Sequence, residues 1–444
     1  MKRIGVVGGG IGGLATAWLL DRHYRVTLLE CNAYLGGHTN TLTVDDPLGA
    51  FPVDTGFMVF NHRNYPLLTA LFRELGVVTY PTTMSFSASL DGGRTEYAGS
   101  DLNGLFGQRS NLFRPGFLRL LVDILRFNAA AKAFLARGDR GELTLGEFLE
   151  QGGYSRRLAD HYLLPMAAAI WSCPAEQMRL FPFLSFARFF DNHGLLDLSN
   201  RPEWHTVRGG SRVYVDRLLA SMGGEVRLQS PVRRVRRLTQ GVEVEVEGGE
   251  RLRFDALVLG CHADQALAMI ESPSALEQEL LGAFHYQPNQ VYLHSDPSLM
   301  PRRRRVWSSW NYLRGPGEDA AGPVTLTYWM NNLQDLPTER HIFVSLNPVQ
   351  PPRRDSVIAE ISYEHPVFDS GAIVAQRRVG EIQGRDRLWF AGAYLGYGFH
   401  EDGLRSAVEV AASLGVSAPW AGPRAVPKPH PGPVSPMIPG MARP

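Results

Sequence analysis

The chain has 444 residues, 44% of them hydrophobic and 20% charged, and a net charge of +1. That length exceeds one ordinary core and calls for two domains or one with a large insertion. The composition is that of a packed globular protein, and near-neutrality removes any whole-protein argument for nucleic acid as a partner. Cys31, Cys173 and Cys261 stand at no metal-ligand spacing, so no metal and no disulfide scaffold is expected, and a reducing cytoplasm fits.

The chain enters directly on a strand, Ile4–Val7, so no signal peptide is expected. No apolar run is long enough to span a bilayer. Gly8-Gly-Gly-Ile-Gly-Gly13 follows, then a helix over Leu14–Leu20. Gly8, Gly10 and Gly13, with Ile11 and Gly12 between them, fit G-x-G-x-x-G. These glycines permit a tight turn, close approach of a diphosphate and tight helix–strand contact, and the helix start offers free N–H groups to the phosphates. A second strand, Tyr24–Leu29, ends at Glu30, 17 residues past Gly13, near the place of a ribose-binding carboxylate. Strand, glycine turn, helix and acid in this order point to a dinucleotide; a tight turn that binds nothing is the bland alternative.

Further along, Phe113 to Leu135 reads as a helix with Arg114, Arg119, Arg126 and Lys132 interleaved among apolar residues. A core-facing helix is expected, with a membrane-surface helix as the alternative. Pro165–Trp171, Phe181–Phe186 and Tyr328–Met330 suit a core or an apolar tunnel. Val242–Glu247 alternates as a half-buried strand, Gly248-Gly249 turns it, and Leu252–Leu259 returns. Arg302–Arg305 beside Trp307 and Trp310 suits an anionic headgroup layer, or else a solvated loop leading into a strand. A strand-like Leu388–Gly392 precedes a helix from about Glu401. Glu401 and Asp402 suit a first turn, where Asp402 is expected to cap, and His400 stands just outside it. Residues 417–444 hold nine prolines and read as an extended or disordered tail.

Leu35-Gly-Gly-His-Thr-Asn40, Val53-Asp-Thr-Gly-Phe-Met-Val-Phe60, Val207-Arg-Gly-Gly210 before a helix, and Arg387-Leu-Trp-Phe-Ala-Gly392 before the last helix resemble the flavin amine-oxidase superfamily. The resemblance implies FAD as cofactor. It also implies an α/β fold: a Rossmann-like, glutathione-reductase-type FAD-binding domain with an α+β substrate domain, in the amine-oxidase-like two-domain arrangement. It places Cys31, Gly36, Gly37, His38, Thr39, Thr55, Gly56, Phe57, Met58, Val232, Gly392, Ala393, Asp402, Gly403 and Leu404 along the cofactor, with the last helix pointing its positive end at the flavin. There are departures. Asn32, Tyr34 and His38 stand where the family often has arginines, Ala393 stands where many members have an acid, and no lysine occurs between Lys132 and Lys428.

Gly36–Thr41, Asp54–Asn61, Trp307–Tyr312, Tyr328–Asn331 and Gly396–Gly403 are also similar to a group of bacterial flavoproteins. That group resembles the amino-terminal oxidase-like half of plant cyclopropane fatty acid synthases. This implies a role in modifying unsaturated, methylated or cyclopropanated acyl chains, near a lipid methyltransferase. The expected domains are 1–62, 205–265 and 378–416 around FAD, and 63–204 with 266–377 around the substrate. The expected function is an FAD-dependent oxidoreductase taking hydride from a fatty acyl chain, by desaturation or double-bond isomerisation, with His400 and Glu401 as catalytic candidates. The rivals are an amine or polyamine oxidase, a carotenoid or other polyene desaturase, and a non-catalytic flavin-binding partner of a lipid methyltransferase. The expected location is cytoplasmic and peripheral on the inner membrane face, through Arg302–Arg305 and the 113–135 helix.

Overall fold

The structure, a computed structural model, describes residues 1–138, 143–171, 178–197, 201–315 and 325–421. Its first sheet has five parallel strands: β1 (Arg3–Val7), β2 (Arg25–Leu29), β3 (Glu225–Arg227), β4 (Ala256–Leu259) and β5 (Leu388–Phe390). Their order is β3-β2-β1-β4-β5. The central strands are apolar at nearly every position because both faces are covered. Four helices matter below: α1 (Ile11–Asp21), α2 (Pro66–Glu74), α3 (Pro115–Ala136) and α4 (His400–Ser413). α1 and α4 pack on each other against this sheet.

The return strand expected over Leu252–Leu259 is two strands. Arg251–Phe254 pairs antiparallel with Val242–Val246, and β4 pairs parallel with β1. The break falls at Asp255, whose carboxylate accepts from the Arg3 N–H at 2.7 Å, so the chain leaves one sheet and enters the other. α1 begins at Ile11 rather than Leu14, taking two glycines into its first turn.

A second sheet has seven strands, in the order 357–367, 285–294, 343–346, 325–329, 310–313, 86–90, 95–98. α3 lies over an aromatic core in this half, where Phe127 and Phe134 meet Phe183, itself stacked on Phe148 at 3.6 Å. The first sheet draws its strands from 1–62, 205–265 and 378–416, and the second from 63–204 and 266–377. The first residues of the expected tail are packed: Ala418 is buried and Trp420 stacks on Trp18 at 6.2 Å, while residues 422–444, which include Lys428, and Cys173 lie outside the described residues.

The arginine run at 302–305 is partly consumed by the fold. Arg303 pairs at 2.7 Å with Glu96, whose side chain is fully buried, and Arg304 lies over Trp307 at 3.8 Å and Trp329 at 4.6 Å. Trp307 donates its indole N–H to the Pro301 carbonyl. Trp307 and Trp329 thus pack on an arginine. Among the described residues, no helix is long and apolar enough to cross a membrane, and no group of three or more His, Cys, Asp or Glu could hold a metal ion.

Candidate functional site

One cavity of about 1130 Å³ runs from the glycine turn of β1–α1 into the seven-stranded half. That exceeds what one drug-sized ligand needs, so there is room for a dinucleotide and a second molecule.

Its first part is made of backbone. Gly8 takes φ +101°, and a Cβ there would stand 2.7 Å from the Gly260 carbonyl oxygen. A Cβ on Gly13 would stand 1.9 Å from the Gly8 carbonyl oxygen, so the third glycine sets how closely α1 meets β1. Gly10 caps α1, and a Cβ there would meet nothing within 4 Å; its open side is the cavity wall. The Gly36–Gly37 loop folds over this turn through Gly36 N–H to the Gly9 carbonyl at 2.8 Å. Glu30 closes the end of β2. Its carboxylate accepts from Gly9 N at 2.6 Å and from Asn32 N and Nδ2 at 2.8 Å. Cys31 donates its thiol to the same carboxylate, and burial with that negative neighbour pushes its pKa up to about 11, so it is a wall residue and not a thiolate. Val232 lines the opposite side.

The middle part holds side chains that, His38 apart, the sequence pattern did not disclose. His38 stacks on Tyr363 at 4.7 Å and tilts against His365 at 5.0 Å, while His262 stacks on Tyr286 at 4.1 Å. Tyr363 and His365 share one face of strand 357–367, two residues apart. That alternation was the available signal, but it gives no hint that the strand reaches the cofactor half. Burial pushes His38 well below the usual imidazole range and His365 to about 4, so both are neutral and carry one N–H each. His38 Nε2, His262 Nδ1 and Tyr394 Oη are buried in this wall without a hydrogen-bond partner; the Glu364 carboxylate lies 3.4 Å from His262 Nδ1 but is not aligned to bond it. Three orphaned polar atoms beside a glycine cradle are the chemistry that the phosphates and hydroxyls of FAD would satisfy. The residues present therefore fit the cofactor.

The closing block completes this part. Gly392 receives the start of α1, since a Cβ on Gly12 would come within 3.2 Å of Gly392. Ala393, Phe399 and His400 face the cavity with Gly56, Phe57 and Met58. His400 is the first residue of α4, not a residue outside it. Its ring stacks on Phe57 at 3.8 Å, and its Nε2 is 2.8 Å from Thr39 Oγ1, which is hydrogen-bonded to Tyr214. Burial lowers its pKa to about 3.

Seven expected site residues do not line the cavity: Gly13, Thr39, Thr55, Glu401, Asp402, Gly403 and Leu404. Each has a structural task. Glu401 turns away and accepts the Leu67 and Leu68 N–H groups at 2.9 and 3.0 Å, capping α2, so its assignment as a catalytic acid is corrected. Asp402 caps its own helix by accepting from Tyr397 and Phe399 N–H groups, with Arg405 beside it. Gly403 lets α4 approach Ile11, and Leu404 is core. Thr39 holds His400, and Thr55 bonds the Asn40 carbonyl and Tyr363.

Beyond Phe57 the cavity is apolar, walled by Met84, Phe86, Tyr162, Met166, Ile170 and Trp310, among others. Trp310 Nε1 has no partner. His193 stacks on Phe189 at 3.9 Å, and burial lowers its pKa to about 4. Where this apolar part reaches solvent, the exposed wall residues include Thr83, Gly99, Ser100 and Arg201. Among the described residues, the carboxylates lining the whole cavity are Glu30 and Glu364, both in its cofactor part, and no lysine lines it. Lys132 pairs with Asp197 instead.

The buried imidazoles set a pH dependence. His193, His365 and His400 titrate lower folded than unfolded, so the unfolded chain binds more protons and stability falls as pH drops from 6.5 towards 4. At pH 5 each contributes a loss of about 2 kcal/mol. Asp54 and Glu401 act the other way: burial raises them to about 6 and about 7, so the folded chain holds protons more readily and gains back roughly 4 kcal/mol between them at pH 5. With His38 and His294 adding to the loss, urea denaturation of the flavin-free chain is expected to show lower stability at pH 5 than at pH 7.5; equal or higher stability at pH 5 would contradict the neutral imidazoles.

Residues 11–342 match the family described as flavin containing amine oxidoreductase, about three quarters of the chain. AofH of Mycobacterium tuberculosis, a candidate flavin-containing monoamine oxidase, is 26% identical over 322 residues, covering 69% of this chain and 61% of that protein. The chain spans about half to three fifths of the length of the curated relatives it matches. Among solved structures, a CLA-producing fatty acid isomerase from P. acnes superposes with a TM-score of 0.65 at 14% identity, covering 94% of this chain and 99% of that one. Cyclohexylamine oxidase from Brevibacterium oxydans superposes with a TM-score of 0.67 at 16% identity, covering 93% and 98%. At such identities the likeness is one of fold.

Proposed function

The chain belongs to the flavin-containing amine oxidoreductase family and takes FAD as its cofactor, and from that premise we propose that its substrate is an apolar chain, a fatty acyl group, rather than an amine. The fold leaves both open, since it is shared with an amine oxidase and with a fatty acid isomerase. The observation that carries the reading is the wall beyond Phe57: aromatic and aliphatic, with no carboxylate among its described residues to receive an ammonium. A cationic amine carried into such a wall is desolvated with no anion to pair with, whereas methylenes gain from burial.

When bound, FAD supplies a hydride acceptor, and returning the hydride moves a double bond instead of making one. The chain's own residues hold and orient. Gly8–Gly12, Glu30, the Gly36–His38 loop, His262 and Tyr394 would hold the dinucleotide. Phe57, fixed by the His400 ring, presents one edge of the reaction space, and the apolar wall excludes water from it. With its pKa near 3, His400 is neutral at every working pH, so its task is to position by its ring and its one N–H and not to carry charge.

The test is anaerobic mixing of the FAD-loaded protein with dispersed acyl lipids and, separately, with an amine panel. Acyl lipids are expected to bleach the yellow absorbance, or to be recovered with displaced double bonds. Bleaching by amines with no change in the lipids would overturn the reading. His400→Ala should keep its FAD and lose turnover by about 100-fold through misplacement. Normal turnover in that variant would remove His400 from the mechanism.

A further inference from the structure

α3 is apolar on two faces. Its inner face carries Phe117, Leu120, Phe127, Ala131 and Phe134, all buried. Its outer face carries Leu118, Val122 and Leu125, which are 43%, 52% and 52% exposed. Their spacing of four and three residues puts them on one stripe. Exposed Pro115 and Ala129 continue the stripe along the helix, and Leu112, Phe113 and Leu102 extend the apolar surface before its start, Phe113 at 84% exposure. A helix that only covers a core shows polar residues on that outer face.

The charges beside the stripe are mostly basic: Asp101 caps the turn at Leu102 and Asp197 pairs with Lys132, and the helix itself contributes more bases than acids. The helix has a single acid, Asp123; its side chain is fully buried and satisfied by Arg119 at 3.2 Å, Arg126 at 2.8 Å and the Ser155 N–H. The accessible ionic groups are therefore Arg119, Arg126 and Lys132, with Arg114 and Arg157 beside a small cavity at the start of the helix. An apolar stripe flanked by arginines suits an anionic lipid surface.

Part of the exposed wall of the cavity, Gly99, Ser100 and Arg201, lies beside this helix. Ser100 lies two residues before Leu102, on the stretch that leads into α3. Arg201 donates from Nε to the Asp197 carbonyl at 3.3 Å, and Asp197 pairs with Lys132 of α3. Arg201 Nη1 reaches the Gly99 carbonyl at 3.5 Å.

We propose that the outer face of α3, with Leu102 and Phe113, docks on the surface of an anionic lipid bilayer, so that an acyl chain passes from the bilayer between Ser100 and Arg201 into the cavity. The docking serves the acyl reading given above and is tested apart from it. FAD-loaded protein is floated with vesicles of phosphatidylcholine alone and of phosphatidylcholine with phosphatidylglycerol. It is expected to float with the phosphatidylglycerol vesicles, and less so at high salt. The double variant Val122→Glu, Leu125→Glu should lose vesicle affinity at least about tenfold while keeping its FAD and its activity on detergent-dispersed acyl lipid. Arg302→Gln with Arg305→Gln should float like the parent. Failure to float with either vesicle, or unchanged flotation of the double variant, overturns the docking. A dimer in sedimentation that the double variant dissociates also overturns it, because the face then belongs to a second copy. Flotation without any reaction of dispersed lipid would instead leave the docking intact and sink the acyl reading.

Discussion

Gly13→Ala is expected to give a chain that does not accumulate as a folded yellow protein, whereas Gly10→Ala is expected to fold normally and lose most of its FAD. Both residues belong to one motif, yet they answer to different constraints. At Gly13 a methyl group would stand 1.9 Å from the Gly8 carbonyl oxygen, and what obstructs it is backbone. α1 would have to move away from β1, and with it the contacts of α1 with α4 and of Gly12 with Gly392. Overpacking costs about 1–3 kcal/mol where side chains can give way, and more where they cannot. At Gly10 the backbone has φ −70°, which alanine adopts freely, and the methyl group would meet nothing within 4 Å. It would project from the wall where a diphosphate must approach the start of α1, so FAD affinity should fall by at least about tenfold with the melting temperature of the flavin-free chain unchanged. Flavin content after gel filtration and thermal unfolding of the two stripped variants separate the cases. A Gly10→Ala protein with full FAD would move the phosphates elsewhere.

Asp54→Ala is expected to cost about 3–5 kcal/mol, because each buried donor left without an acceptor costs about 1–3 kcal/mol, and to release FAD as a consequence. Asp54 is fully buried and does not face the cavity. Its carboxylate accepts from Ser211 N at 2.8 Å, Ser211 Oγ at 2.8 Å, Thr41 Oγ1 at 2.5 Å and Gln334 Nε2 at 3.0 Å. Through these bonds it ties strand 51–54 to the helix at 212–220 and to Gln334 of the seven-stranded half. The strand carries the chain into Gly56 and Phe57, so the floor of the site depends on this knot. Asp54→Asn keeps the shape but turns an amide N–H₂ towards donors, and should fall between parent and alanine. It should also abolish the share of the pH dependence that arises because burial holds Asp54 near 6. Urea denaturation of the three proteins at pH 7.5 and pH 5 measures both effects. An alanine variant as stable as the parent would show that the knot contributes nothing.

What could be read before the structure was the part of the site made of backbone. Gly8, Gly10, Gly13, Gly36 and Gly37 are glycines because a close approach or a left-handed turn demands it, and such demands leave a spacing in the sequence. Glu30 follows for the same reason, at the end of the next strand. The orphaned donors were less legible. His38 stood in view as a departure, but His262 and His365 are more than 200 residues away: His262 follows β4, and His365 reaches His38 only because the 357–367 strand extends to the cofactor half. Glu401 misled because an acid in a first turn beside a cofactor looks the same whether it faces the ligand or caps a neighbouring helix. Only the position of α2 decides, and that position is a tertiary fact. Within the arginine run at 302–305 the pairing of Arg303 with Glu96 was equally out of view, since it joins residues far apart in sequence. α3 was legible as a helix, but which of its apolar residues face the core was not, since that depends on the elements packed against it.

A crystal structure of the chain with FAD tests the central claim most directly. Three distant segments should enclose one FAD, with its adenine beside Val232, its ribose at Glu30, its diphosphate against Gly10 and in reach of His38 Nε2, and its ring system against Phe57 and His400. An empty Gly8–Gly13 turn, or a ring system away from Phe57 with the three donors still unpartnered, would contradict it.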